Sequence, residues 1–223
     1  LVGEPTQPIA CASWLGLARL AYQRNDLANA RVWAGRGIEL AEAIEGIDVP
    51  VEGAVLLARI AYAEGARDEA EAILADAQRQ ALEQDFAVQL GAIASLRARQ
   101  LALAGKIPEA RNVLATGQPS AVDRARVELA AGEHDAAITL LEPRLAEGTT
   151  DEVAECSILR ALVLVDSGRI EEAIDGIAGL IPALRAEDNV RLLADVGPPA
   201  VPLLEGCVRA GVEPGFATRV LAA

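Results

Sequence analysis

Alanine and leucine fill most apolar positions of this chain, with charged residues set between them, and β-branched residues alternate with polar ones over no long stretch. Ala has the highest helix propensity and Leu follows it, so this pattern predicts helices and no sheet. Five turns share one local arrangement. They are centred on Asn25, Gly65, Gly105, Gly132 and Gly168, residue types that tolerate the left-handed backbone found where helices end. Seven residues before these centres stand Ala18, Ala58, Ala98, Ala125 and Ala161. Five residues after them stand Ala30, Ala70, Ala110, Ala137 and Ala173. Two helices joined by a tight turn cross closely beside it, and a side chain larger than a methyl on either facing position would push them apart. The arrangement therefore marks five antiparallel helix hairpins.

The predicted pairs are 9–24 with 27–45, 51–64 with 67–84, 87–104 with 107–116, 119–131 with 134–147, and 151–167 with 170–186. Breakers fall between them at Gly46 to Pro50, Gly117 to Pro119 and Gly148 to Thr150. Leu74, Leu114, Leu141 and Ile177 stand where second helices should meet the next pair. Asp68-Glu69 and Glu171-Glu172 open second helices, where acidic residues complement the positive end of the helix dipole. Turn centres lie 40, 40, 27 and 36 residues apart, so the repeats are irregular. The stretch Asp195-Val196-Gly197-Pro198-Pro199 interrupts the pattern, with a short helix predicted before it and two after it. Residues 1–187 are assigned to the repeats and 188–223 to a terminal cap.

Composition narrows the functional classes. Aromatic residues make up only 3% of the 223, so small side chains and close backbone approach must fill the core. The net charge of −13 opposes broad contact with nucleic acid or an anionic membrane surface. No run of eighteen apolar residues is present to span a bilayer. Methionine is absent and the first residue is Leu1, which predicts a segment cut from a longer chain. Cys11, Cys156 and Cys207 are scattered without CxxC or Cys/His spacing, so they are expected to be buried small hydrophobes in a reducing cytoplasm. Neither a metal nor a cofactor is expected.

Trp14, Leu17 and Ala18, together with the Gly65-x-x-x-x-Ala70 turn, resemble the tetratricopeptide (TPR) consensus. Within that superfamily the chain resembles the sensor region of MalT-like transcription regulators, large ATP-binding proteins that end in a LuxR-type helix-turn-helix. The resemblance rests on the long early helices, on Leu57-Ala58-Arg59-Ile60-Ala61 running into Gly65, and on the closing Val190-Arg191-Leu192-Leu193-Ala194-Asp195-Val196-Gly197. That last stretch is similar to the Arg-Leu-x-x-Asp-x-Gly element that closes such sensors, with Val196 where an acid is common. The resemblance implies an all-α fold, a right-handed superhelix of antiparallel helix pairs with a helical cap. It also implies a non-catalytic binding module that relays a signal to ATPase and DNA-binding domains, neither of which has its motif here. A TPR scaffold binding a protein or peptide, attached to another signalling domain such as a kinase, is the alternative.

One column of residues carries candidate chemistry. Arg19, Arg59, Arg99 and Arg126 each stand six residues before a turn centre, with Leu162 in the fifth place; Tyr22 and Tyr62 follow Arg19 and Arg59 by three residues. In a TPR this position lies on the first helix of each pair and faces the concave groove. A stack of guanidiniums there would suit a carboxylate or phosphate, with tyrosine rings to stack on a sugar or planar ligand. The competing reading pairs each arginine with an acid of the neighbouring helix, such as Glu52, to hold repeats in register. The expected partner is a small-molecule effector or a protein segment in that groove, together with adjoining domains of the parent protein. His134, the carboxylates Asp123, Glu128 and Asp135, and the indoles of Trp14 and Trp33 are expected to be structural or exposed, and no residue is assigned to catalysis. Arg191 and Asp195, four apart, are expected to form an ion pair or to cap the helix beginning near Pro198. Because a surface of this charge repels phosphate, the segment alone should show no sub-micromolar affinity for duplex DNA at about 150 mM salt, which fluorescence anisotropy would measure.

Overall fold

The computed structural model describes residues 8–42, 44, 46–116 and 119–223, and every regular element among them is helical. Gly117, one of the predicted breakers, lies outside the described residues. The chain divides into two compact units, Leu1–Ile93 and Ala94–Ala223.

The first unit contains α1 (Pro8–Gln23), α2 (Leu27–Ala41), α3 (Val49–Ala63), α4 (Arg67–Glu83) and the start of α5 (Ala87–Leu103). α1 packs on α2 and α3 on α4, while α3 also lies against both α1 and α2. Cys11, Leu15, Ala18, Tyr22, Ala34 and Ile60 belong to its buried core. Backbone contact is close enough at Gly53 that a Cβ there would stand 2.6 Å from Cγ1 of Ile38. The second helix was expected to reach residue 45 but ends at Ala41.

The second unit continues with the rest of α5, α6 (Ile107–Ala115), α7 (Ala121–Ala130), α8 (His134–Glu147), α9 (Thr150–Asp166) and α10 (Ile170–Ile177). It closes with α11 (Leu180–Glu187), α12 (Arg191–Ala194), a 3-10 turn at Pro198–Ala200, α13 (Val201–Ala210) and α14 (Pro214–Leu221). α7 touches both α8 and α9, the contact pattern of stacked pairs, and α13 touches α9 and α10 in the same way. The expected helix over 170–186 is broken at Ala178 and Gly179. Pro182 is the cause: it has no N–H for the Ala178 carbonyl, and its ring crowds that carbonyl.

The five predicted turns share one hydrogen-bonded geometry. At Gly65 (φ 79°) its N–H bonds the Tyr62 carbonyl, and the next N–H, of Ala66, reaches back five residues to Ala61. Asn25, Gly105, Gly132 and Gly168 repeat this double bond, which satisfies the carbonyls left open at a helix end. All ten flanking alanines are buried, none more than 2% exposed. Leu74, Leu114, Leu141 and Ile177 are buried too.

Three further turns, at Asp85, Asp188 and Gly211, use the same pair of bonds. They carry no alanine at the two flanking positions: Gln78 and Leu90, Ile181 and Leu193, and Leu204 and Phe216 stand there instead. Two helix starts are fixed by capping boxes that sequence reading passed over, Ser120 with Asp123 for α7 and Thr149 with Glu152 for α9.

Replacing Ala70 or Ala110 with Leu forces three more carbon atoms into a filled crossing, so each should lower stability by about 1–3 kcal/mol. Gly53→Ala should also destabilise, although Ala is the better helix former, because Ile38 stands in the way. Urea denaturation of the three variants checks this.

Candidate functional site

The arginine column begins on α1. Arg19 projects from α1 with its side chain 51% exposed and forms an ion pair with Glu52 of α3. One turn further along α1, Tyr22 is buried, and the Arg59 guanidinium of α3 lies over its ring, 5.0 Å from the centroid. Tyr62 donates its hydroxyl hydrogen to Glu71 of α4. So α1 and α3 are joined by one ion pair and one cation–π contact, the latter worth about 0.5–2 kcal/mol.

The second unit holds Arg99 and Arg126. Arg126 of α7 pairs with Glu155 of α9, and the arginine side chain is only 13% exposed. Arg99 stands 3.9 Å from the outer oxygen of Asp195, whose other oxygen accepts a hydrogen bond from Nε of Arg191 at 2.8 Å. All three side chains in this cluster are largely buried. The expected Arg191–Asp195 ion pair is thus present, and Arg99 joins it to the C-terminal half of α5. Gly197 follows with φ 77°, and a Cβ there would lie 3.4 Å from Leu103 of α5.

One register rule underlies these contacts. Glu52 and Glu155 each stand thirteen residues before a turn centre, Gly65 and Gly168. The arginine six before a turn therefore meets the acid thirteen before the next. At the same place ahead of Gly105 and Gly132 stand Ala92 and Pro119, which offer no carboxylate. Arg59 stacks on Tyr22, and Arg99 reaches Asp195. Glu52 is the acid that the competing reading of the sequence names for this column, and Arg19 does pair with it; Glu155, at the same distance from its own turn, was not singled out there.

The remaining candidates take structural places. Asp123 closes the α7 capping box and accepts a hydrogen bond from the Ser95 hydroxyl at 2.7 Å. Glu128 is held by Arg111, whose Nε donates at 3.1 Å. His134 sits half-buried, its Nε2 3.5 Å from Asp166. Trp33 packs on the first core, and with Trp14 it borders a shallow surface hollow. Asp135 opens α8 on the surface. The three cysteines are buried, and burial raises the Cys156 and Cys207 thiols above their ordinary value. No group of three His, Cys, Asp or Glu side chains is placed to hold a metal among the described residues, and no helix there is long and apolar enough to cross a membrane.

The family model of the MalT-like TPR region matches residues 2–209. This chain belongs to that family. No curated protein and no solved structure gives a significant match. In this MalT-like TPR region the irregular turn spacing and the Asp195 cluster sit on a common all-helical frame. The match ends at residue 209, within α13, so α14 lies beyond it.

Arg19 and Arg126 occupy equivalent places in different surroundings, which separates exposure from register. Arg126→Ala should cost about 1–3 kcal/mol by leaving Glu155 without its guanidinium. Arg19→Ala, in solvent, should cost less than about 1 kcal/mol. Thermal and urea unfolding of the two variants makes the comparison.

Proposed function

We propose that this chain is the sensor region of a MalT-like transcription regulator, a non-catalytic cytoplasmic module whose effector changes the spacing of its helix pairs. The observation that carries the reading is the family match over residues 2–209, joined to first helices of successive pairs that are tied by exchangeable polar contacts. A right-handed stack follows from the TPR type, and 188–223 serves as its cap. The seating of α13 on α9 and α10 supports the cap, since it takes the place of the next pair's first helix.

In the first unit, Arg19 is the accessible arginine, and a ligand carboxylate or phosphate would compete with Glu52 for it. Arg59, Tyr22 and Tyr62 would then adjust around the ligand. In the second unit Arg99 already holds the buried Asp195 and Arg126 the partly exposed Glu155, so a ligand there would work by replacing one of these carboxylates. Either exchange favours one spacing of neighbouring helices over another, and a ligand that prefers one spacing shifts that population. The shift would be passed to ATPase and DNA-binding domains of the parent regulator.

A thermal-shift screen of anionic metabolites and sugars tests this. A ligand of the native state raises the melting temperature. Under this reading the rise shrinks in Arg19→Ala and Arg59→Ala, while their unliganded melting temperatures stay within a few degrees of wild type. A ligand whose shift survives Arg19→Ala, Arg59→Ala, Arg99→Ala and Arg126→Ala binds elsewhere, and the column is then inter-repeat glue alone.

A further inference from the structure

The second unit contains a groove away from the arginine column. It has a volume of about 550 Å³ and is built by one stripe from each of α8, α9 and α10. On α9 the stripe includes Ser157, Arg160, Ala161 and Leu164, continued by Ser167 just past the helix end, the spacing of a single helix face. Leu162, fifth in the arginine column, is two residues from both Arg160 and Leu164 and so points about 200° round the helix from either. The groove and the column therefore use opposite faces of α9.

The floor is apolar, with Ile138, Leu141 and Leu145 of α8 facing Ala161 and Leu164 of α9. Its size falls within the range of about 300–1,000 Å³ found for small-ligand sites. From Ser157 to Ser167 the floor helix runs about 15 Å. At one end, polar groups are already engaged: His134 faces Asp166, and Arg169 donates to Glu172 at 2.7 Å. Arg160 differs. It projects from the central helix and has no ion-pair partner among the described residues. On the far wall stands Gly176 of α10, where a Cβ would meet no atom within 4 Å. Nothing packed against it requires glycine, and the missing side chain widens the groove.

We propose that this groove binds an amphipathic monocarboxylate, with its apolar body on the Ile138–Leu164 floor and its carboxylate on the Arg160 guanidinium. The planar guanidinium fork matches a carboxylate in two parallel hydrogen bonds. Asp135 and Glu142 on the α8 rim disfavour a second negative charge, so dicarboxylates and phosphate esters are poorer ligands. This site is independent of the effector reading above, since it shares no residue with the column.

The test uses octanoate, octanol and octylamine with the full chain, read by isothermal titration and by chemical-shift changes at the Ile138 and Leu164 methyls. Saturable octanoate binding is expected, with octanol and octylamine at least about tenfold weaker. Arg160→Ala should weaken octanoate about tenfold or more, and Gly176→Trp should abolish it by filling the groove. Gly176→Leu provides a smaller plug should the tryptophan variant fail to fold by circular dichroism. Three results overturn the proposal: no saturable octanoate binding up to about 10 mM, octylamine or octanol binding as tightly, or octanoate affinity unchanged in Arg160→Ala and in the folded Gly176 variant.

Discussion

Beside the five left-handed turns at Asn25, Gly65, Gly105, Gly132 and Gly168, two helix backbones approach until only a methyl group fits between them. Ala58 and Ala70 meet this condition around Gly65, and Ala125 and Ala137 meet it around Gly132, each fully buried. The same closeness explains a core made with few large aromatic side chains, Tyr22 and Phe216 among them: backbones supply much of the contact, and Leu74, Leu141 and Ile177 fill what remains. It also fixes rotation. Once the alanine faces are committed to their hairpin partners, the next residue is turned outward from the hairpin, which brings Arg19 to Glu52, Arg59 to Tyr22 and Arg126 to Glu155 of neighbouring pairs.

That forced orientation gives the polar contacts a repeat of their own. Arg19 meets Glu52, and Arg126 meets Glu155, at matching distances from their turns. Where the repeat supplies alanine or proline instead of glutamate, the arginine is engaged by Tyr22 or Asp195. The packing frame is therefore regular while its polar fastenings vary from pair to pair.

Charge and burial also divide the labour between the two units. Arg19 keeps a half-exposed guanidinium, whereas Arg99, Arg191 and Asp195 form a buried cluster that holds α12 against the C-terminal half of α5. An exposed ion pair exchanges partners at little cost. A buried cluster resists exchange, because removing one member strands charge away from water. The second holds the closing helices in place.

The amino-acid sequence by itself determined the helices, the five alanine-flanked turns and the membership in a repeat class. All of these rest on interactions within about a dozen residues, where Gly or Asn, small neighbours and helix propensity act together. It also contained the Arg–Glu register, since both columns count from the same turns. The turns at Asp85 and Asp188 were harder to read, because aspartate marks a left-handed residue far less sharply than glycine does and large residues flank them. The break at Ala178 lay in the helix-breaking chemistry of Pro182, but its position depended on which carbonyl that ring faced. Only the tertiary structure decided that Arg99 would find Asp195, ninety-six residues away, and that stripes of α8, α9 and α10 would line one groove with an apolar floor and Arg160 beside it. These contacts join segments with no common local signal, and they exist only because helix packing brings distant faces to the same place.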